Sequence, residues 1–414
     1  MHVLYLCRHQ CRVVLMHKSQ NLMTADTFPM IAKTVSGLEP LLAEELRKLG
    51  AQNIIEVTRA VSFEGDKALM YKANYSVRTA LRILKPISQF VARTEDALYD
   101  GVGKLQWHEF FKMEQTFAID AVVSGEFFSH SHYAGLRVKD AIVDQFRNRF
   151  GARPSVEINQ PDIRINVHIY QDQVSILLDS SGESLHKRGY RTAVDKAPIN
   201  EVLAAGLILL TGWDGESPFV DAMCGSGTIP IEAAMLAMRI PPAYFRERFG
   251  FMNWPDFDST LWENVKSVAN DQIREIEAEI IASDRSGKAI DIARENIHNA
   301  HLHKDIKLIK KPMENLEPPE GEGVLVINPP YGERLEEEDL IALYKGIGDS
   351  LKQGFKGYKA WVISSDQRAL KMVGLKPSKK YTVYNGPLEC RFARFDIFSG
   401  SYKAMKTEKN EGKG

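Results

Sequence analysis

From residue 200 onward, helical and apolar extended segments take turns along the chain, and few architectures accommodate that order. The spacing predicts helices over 200–211, 230–239, 286–299 and 337–353. Strands are predicted at Phe219 to Val220, Ile280 to Ala282, Lys307 to Lys310, Gly323 to Ile327, Lys359 to Ser364, 380–384 and 391–398. Helices between strands supply the crossovers that parallel pairing requires, so the pattern predicts a doubly wound, mainly parallel α/β sheet. The last two strands have no helix between them and predict an antiparallel ending.

In such a sheet, ligands sit outside the carboxyl ends of the strands. The segment FVDAMCGSGTIPIEAA brings Asp221 to that edge, followed by a glycine-containing turn and by Pro230, expected at the first position of a helix. Gly225 and Gly227 let the backbone approach a ligand without a Cβ in the way. The segment lacks both Gly-x-Gly-x-x-Gly and a Gly-Lys-Ser/Thr ending, so NAD and ATP fit it poorly. EIIASD ends the next strand in Asp284, suited to a ribose, but 63 positions after Asp221 instead of about twenty. An insertion, RIPPAYFRERFGFMNWPDFDSTLWENV, accounts for the excess. Its Tyr244, Phe249, Phe251, Trp254 and Phe257 are expected to pack on their own domain, the alternative being a wall for a base.

GVLVINPPYGERL delivers Asn328-Pro329-Pro330-Tyr331 to the same edge. Two prolines after a strand are an ordinary stop signal, which leaves the flanking Asn and Tyr unexplained. Amine methylation explains them. An exocyclic base amine is a poor nucleophile because its lone pair is delocalised into the ring. Acceptors at the Asn328 side chain and the Pro329 carbonyl would hold its N–H groups and stabilise charge developing on nitrogen. The prolines fix that carbonyl, and Tyr331 offers a stacking face for a flipped-out base.

The first half reads differently. Residues 23–85 combine a strand at Ile31 to Val35, a helix carrying Leu38, Leu41, Leu42, Leu46 and Leu49, extended segments from Ile54 to Phe63, and a helical stretch KALMYKANYSVRTALRIL, as a small α+β unit. Residues 86–180 form a second unit with strands at 116–123, 163–169 and 174–178 around the helix HYAGLRVKDAIVDQFRNRF. That helix is expected to bury Leu136, Ile142, Val143 and Phe146, leaving Arg137, Lys139 and Arg147 for a solvated face or for RNA phosphates. Residues 181–200 are polar and read as a linker to a domain spanning 201–400; Lys187, Arg188 and Arg191 around Tyr190 are open to either a solvated or a nucleic-acid reading.

With 53 Lys and Arg against 54 Asp and Glu, the chain supplies no global field for a polyanion, so nucleic-acid binding must come from local patches. Four scattered cysteines, Cys7, Cys11, Cys224 and Cys390, make neither a disulfide framework nor a four-ligand zinc site; no metal is expected and a reducing cytoplasm fits. No apolar run reaches about eighteen residues, so no membrane span is expected. Residues 1–22 are expected to be a disordered leader, interrupted by charge and without a signal-peptide cleavage site, and residues 401–414 a disordered tail.

SHYAGLRVKDAIVDQF, LHKRGYR, DAMCGSGTIPIEAA and NPPYGERL occur in an order that resembles the THUMP-domain class I RNA methyltransferases, specifically the bacterial ribosomal RNA guanine-N2 type. The resemblance implies a ferredoxin-like domain, a THUMP domain that grips structured RNA, and a Rossmann-like catalytic domain using S-adenosylmethionine. It places Asp221, Ala222, Met223, Cys224, Gly225, Ser226, Gly227, Thr228 and Asp284, with neighbouring Arg285, at the cofactor, and Asn328 to Tyr331 at the base. Arg137, Lys139, Arg147, Lys187, Arg188 and Arg191 become candidate RNA contacts. Where relatives carry an Asp near the cofactor adenine this chain has Pro312, which shifts that contact to Met313 or Glu314. The expected substrate is a guanine in 23S ribosomal RNA, free or in an assembly intermediate. Adenine N6 in DNA or RNA, and guanine N2 in tRNA, are the alternatives.

Overall fold

The computed structural model describes residues 27–192, 198–330 and 336–397. The expected leader with Cys7 and Cys11, the tail and Tyr331 lie outside the described residues.

The first half comprises β1 (Phe28–Lys33), α1 (Glu39–Lys48), β2 (Gln52–Val57), β3 (Ala60–Gly65), α2 (Lys67–Ser76), β4 (Arg82–Val91), α3 (Glu95–Gly103), β5 (Phe117–Ser124), α4 (Ser131–Phe150), β6 (Ile163–Tyr170) and β7 (Gln173–Asp179). The two expected units share one seven-stranded sheet, in the order β2-β3-β1-β4-β7-β6-β5. β4 is the joint: its first residues pair with β1, and its length from Leu84 to Val91 pairs with β7. The register shifts between Pro86 and Ser88, where proline has no amide to give the ladder.

Two local features depart from the sequence pattern. The helix predicted over 67–84 stops at Ser76, because the Arg78 and Thr79 amides donate to Glu45 on α1 at 2.8 and 3.0 Å instead of continuing the ladder. Ile83 and Leu84 are then buried as strand residues. On α4, Leu136 is exposed, whereas Ala134, Val138, Ile142 and Phe146 form the buried stripe at four-residue intervals. Leu136 stands two positions from Val138, on nearly the opposite face.

The second half comprises α5 (Glu201–Thr211), β8 (Phe219–Asp221), α6 (Thr228–Ala237), α7 (Ser259–Asn270), β9 (Ile280–Asp284), α8 (Gly287–Asn299), β10 (Ile306–Lys310), β11 (Val324–Ile327), α9 (Glu337–Gly354), β12 (Lys359–Ser364), α10 (Gln367–Met372), β13 (Lys379–Asn385) and β14 (Leu388–Asp396). The sheet order is β10-β9-β8-β11-β12-β14-β13, parallel through β12 and antiparallel at β14 and β13, as the helix and strand alternation predicts. The chain winds outward from β8 in both directions, so the strand order reverses between β8 and β11, and the ligand crevice opens there.

Phe249, Phe251, Trp254 and Phe257 of the insertion pack on the first half instead of their own domain, Tyr244 is exposed, and Ile240 and Phe245 stay with the catalytic core. Tyr71 and Tyr75 of α2 meet Trp262 of α7 edge-on at 5.9 and 5.5 Å, and Tyr71 lies 4.4 Å from Phe251. Gly182 and Gly250 make the approach possible: a Cβ on Gly250 would come within 2.3 Å of the Asp179 carbonyl oxygen. The junction after β7 is likewise no solvated linker. Leu185, Arg188 and Tyr190 are each 1% exposed.

Candidate active site

β8 ends at Asp221, and the turn behind it is organised from the next strand. Asp284, closing β9, accepts the Gly225 amide through Oδ2 at 3.0 Å and the Ser286 amide through Oδ1 at 2.8 Å. The Ser283 carbonyl accepts the Cys224 amide at 2.9 Å. Gly225 and Gly227 both have positive φ, +52° and +82°, which glycine adopts without a Cβ penalty. Gly227 caps α6 in the left-handed region, and a Cβ there would press on Ala293 of α8 at 3.3 Å. Pro230 is the third residue of α6, not the first.

Asp221 is 1% exposed, and Oδ1 accepts the Met223 amide at 3.1 Å, while Oδ2 is buried without a partner among the described residues. Burial, with a smaller contribution from the nearby Asp284 charge, pushes its carboxyl up to about 8. The same burial and the same two acids raise the Cys224 thiol well above its ordinary value. A buried acceptor with an unused oxygen suits a ligand bringing donors or positive charge.

A cavity of ≈ 840 Å³ lies over this turn. Asp221 to Ser226, Thr228, Asp284, Arg285, Met313, Asn328 and Pro330 line it; Gly227 and Pro329 do not, Gly227 serving as the cap of α6. Asn328 follows β11 directly, and its Oδ1 is a second buried acceptor lacking a partner among the described residues. Pro329 is buried and Pro330 half-buried behind it. Two residues with orphaned acceptors thus line one cavity from adjacent strand ends, Asp221 on one side of the switch point and Asn328 on the other.

Sequence reasoning missed other walls of this cavity. Pro198 and Ile199, just before α5, line it, and so do Asp339, Leu343 and Gly346 of α9. The α9 pattern signals only an amphipathic helix, so nothing local marks those residues. Pro312 and Glu314 line the cavity beside Met313.

All six expected RNA contacts already have a carboxylate partner: Arg137 with Asp96, Lys139 with Asp140, Arg147 with Asp144, Lys187 with Glu183, Arg188 with Glu232 and Arg191 with Glu201. Exposed pairs bind their partners weakly, which leaves Arg147 and Lys187 able to exchange a carboxylate for a phosphate. Arg137 also lies with its guanidinium 4.9 Å from the Tyr99 ring centroid. Arg188 departs from the expectation altogether. Its side chain is 1% exposed, Nε and Nη2 donate to Glu232 at 3.3 and 3.4 Å, Nη2 donates to the Arg78 carbonyl at 2.7 Å, and Tyr190 donates to Glu232 at 3.0 Å. It fastens the junction to α6 and cannot reach a surface ligand.

Residues 188–394 match the family described as RMKL-like, methyltransferase domain; residues 92–179 match the THUMP domain and 29–84 the RlmL ferredoxin-like domain. The chain is 40% identical, over 91% of its length and 98% of the relative, to slr0064 of Synechocystis sp., which is named as an RNA methyltransferase. It is 42% identical, over 88% of its length, to the ribosomal RNA large subunit methyltransferase K/L of Syntrophotalea carbinolica. The chain spans about half the length of that K/L relative, 53%. The crystal structure of SMU.472, solved as a methyltransferase complexed with SAH, superposes with a TM-score of 0.82 at 32% identity, covering 91% of this chain and 100% of the other.

Proposed function

The chain belongs to the RMKL-like methyltransferase family, with a ferredoxin-like and a THUMP domain ahead of the catalytic domain, and from that membership we propose that it transfers a methyl group from S-adenosylmethionine to the exocyclic N2 of a guanine in 23S ribosomal RNA. The relatives named for ribosomal RNA and the neighbour complexed with SAH support the substrate and the cofactor respectively.

The cavity fits the cofactor by the chemistry of its donors and acceptors. Asp221 offers a buried carboxyl that gives up its proton when the positively charged end of an amino acid sits beside it, and the Gly225 turn, fixed by Asp284, gives backbone access. Arg285 and Met313 complete the wall. When bound, S-adenosylmethionine supplies an electrophilic methyl on a sulfonium.

The single observation that carries the reading is Asn328 Oδ1, a buried acceptor without a partner among the described residues, on a residue that lines the same cavity as Asp221. An acceptor there takes an N–H of the base amine and holds its lone pair toward the methyl. It also stabilises the positive charge that grows on nitrogen as the bond forms. Pro329 and Pro330 keep the backbone at that point from rearranging, and Tyr331 is assigned the stacking face. The THUMP domain, with Arg147 and Lys187, holds the RNA. A 23S substrate implies action in the cytoplasm on free RNA or on an assembly intermediate.

The test is purified protein with labelled S-adenosylmethionine and ribosomal RNA from a strain lacking the gene. Label in N2-methylguanosine supports the proposal. Label in N6-methyladenosine, or in DNA alone, replaces it with the adenine reading.

A further inference from the structure

Arg191 was expected to meet RNA, yet its contacts lead the other way. The guanidinium is largely buried, paired through Nε with Glu201 at 3.0 Å, while Nη2 donates to the Ile199 carbonyl at 3.1 Å and to Thr228 Oγ1 at 2.6 Å. Glu201 is the first residue of α5 and Thr228 the first of α6, so one side chain ties two helix N-termini together beside the cofactor cavity. A cation there is opposed by both helix dipoles. Glu201, 3% exposed, compensates it locally.

The donor arithmetic gives this placement a consequence. Arginine only donates, so Thr228 Oγ1 spends a lone pair on it and the threonine proton must go elsewhere. Ser226 Oγ stands 3.3 Å from Thr228 Oγ1. Both hydroxyls are buried, at 8% for Ser226 and 2% for Thr228, and both residues line the cavity. With Thr228 donating to Ser226, the serine proton is free to point into the cavity. A chain of donors ordered from a fixed cation polarises each successive hydroxyl.

We propose that Arg191 is a positioning residue that orders a relay, Arg191 to Thr228 to Ser226, and so presents the Ser226 hydroxyl as a donor to a carboxylate bound in the cavity. The inference rests on the cofactor reading above, and the carboxylate is that of the cofactor's amino-acid portion. Asp221 and the relay then divide the work: an acceptor for the ammonium, a donor for the carboxylate. Arg191 serves the cofactor and makes no contact with RNA.

Calorimetry with S-adenosylhomocysteine and with its analogue lacking only the carboxylate tests the relay. Thr228→Val removes the middle hydroxyl at constant shape and leaves the Arg191–Glu201 pair in place. It should weaken S-adenosylhomocysteine binding about 10-fold, the size of one hydrogen bond to a charged group, and leave the decarboxylated analogue within about twofold. Arg191→Met should show the same selectivity, with Arg191→Lys falling between Met and wild type. Equal losses for the two ligands would mean a merely structural role and overturn the relay. Unchanged affinities with weakened RNA binding would restore Arg191 as an RNA contact and overturn it too. Wild-type protein that binds neither ligand would instead overturn the cofactor reading, a result distinct from both.

Discussion

Asp284 accepts the amide of Gly225 at 3.0 Å, across a gap of 59 residues. This contact locks the glycine turn after β8 to the tip of β9 and fixes the floor of the cavity. Replacing Asp284 with Ala leaves the Gly225 amide without its charged acceptor and frees the turn. A charge-assisted bond of this kind contributes about 1.5–3 kcal/mol, so S-adenosylhomocysteine affinity should fall at least about 10-fold. The melting-temperature rise at saturating ligand should shrink in parallel. An undiminished rise would separate Asp284 from the site.

Asp221 makes apo-protein stability depend on pH. Its carboxyl is pushed up to about 8 in the folded state by burial and by Asp284. The unfolded chain therefore releases the proton near pH 4, whereas the folded chain keeps it up to about pH 8. Between those values the folded state binds more protons, so the group's contribution, full below pH 4, is lost as pH rises to 8. Asp221→Asn removes this term. The melting temperature of wild type should decline relative to the variant across that window, and parallel curves would refute the buried-acid assignment.

Arg188 and Glu232 are expected to behave as a structural pair. Arg188→Met leaves Glu232 buried beside Tyr190 without its cation, and breaking such a pair costs about 3–5 kcal/mol. Denaturant unfolding reads that loss. The salt dependence of RNA binding should keep its slope, because Arg188 does not reach solvent. A slope shallower by about one would assign it to a phosphate.

Trp262 joins the insertion to the first half. Truncation to Ala removes the ring packed between Tyr71, Tyr75, Phe249 and Phe251 and should destabilise the protein by about 3–5 kcal/mol. Limited proteolysis should then cut within the insertion, and unchanged resistance would mean the two halves are held elsewhere.

The catalytic sheet was legible because periodicity is a local signal: every strand from Phe219 to Asp396 ends within a few residues of its expected place. Asp221, Asp284 and Asn328 were legible because each closes a strand of one parallel sheet, and parallel strands bring their carboxyl ends to one edge. Long-range effects were not. Glu45 captures the Arg78 and Thr79 amides from 33 and 34 residues away, and nothing near those amides announces it. Arg188 looked like a surface residue because its neighbours are polar; its partner Glu232 lies 44 positions on, in a helix that is otherwise apolar apart from Thr228. The insertion's aromatics were recognised as packing residues, but their partners Tyr71 and Tyr75 belong to the other half. Composition carries no direction.

Asn328 is the residue proposed to direct methylation of a guanine amine in ribosomal RNA. The most direct measurement is mass analysis of 23S ribosomal RNA nucleosides from a strain lacking the gene, complemented with wild type or with Asn328→Ala. Wild type should restore N2-methylguanosine at one position, and Asn328→Ala less than about one part in a hundred of the wild-type rate, as for loss of one preorganised polar group at a reacting centre. The variant should still bind S-adenosylhomocysteine. Full restoration by Asn328→Ala, or an unchanged nucleoside profile in the deletion strain, would contradict that role.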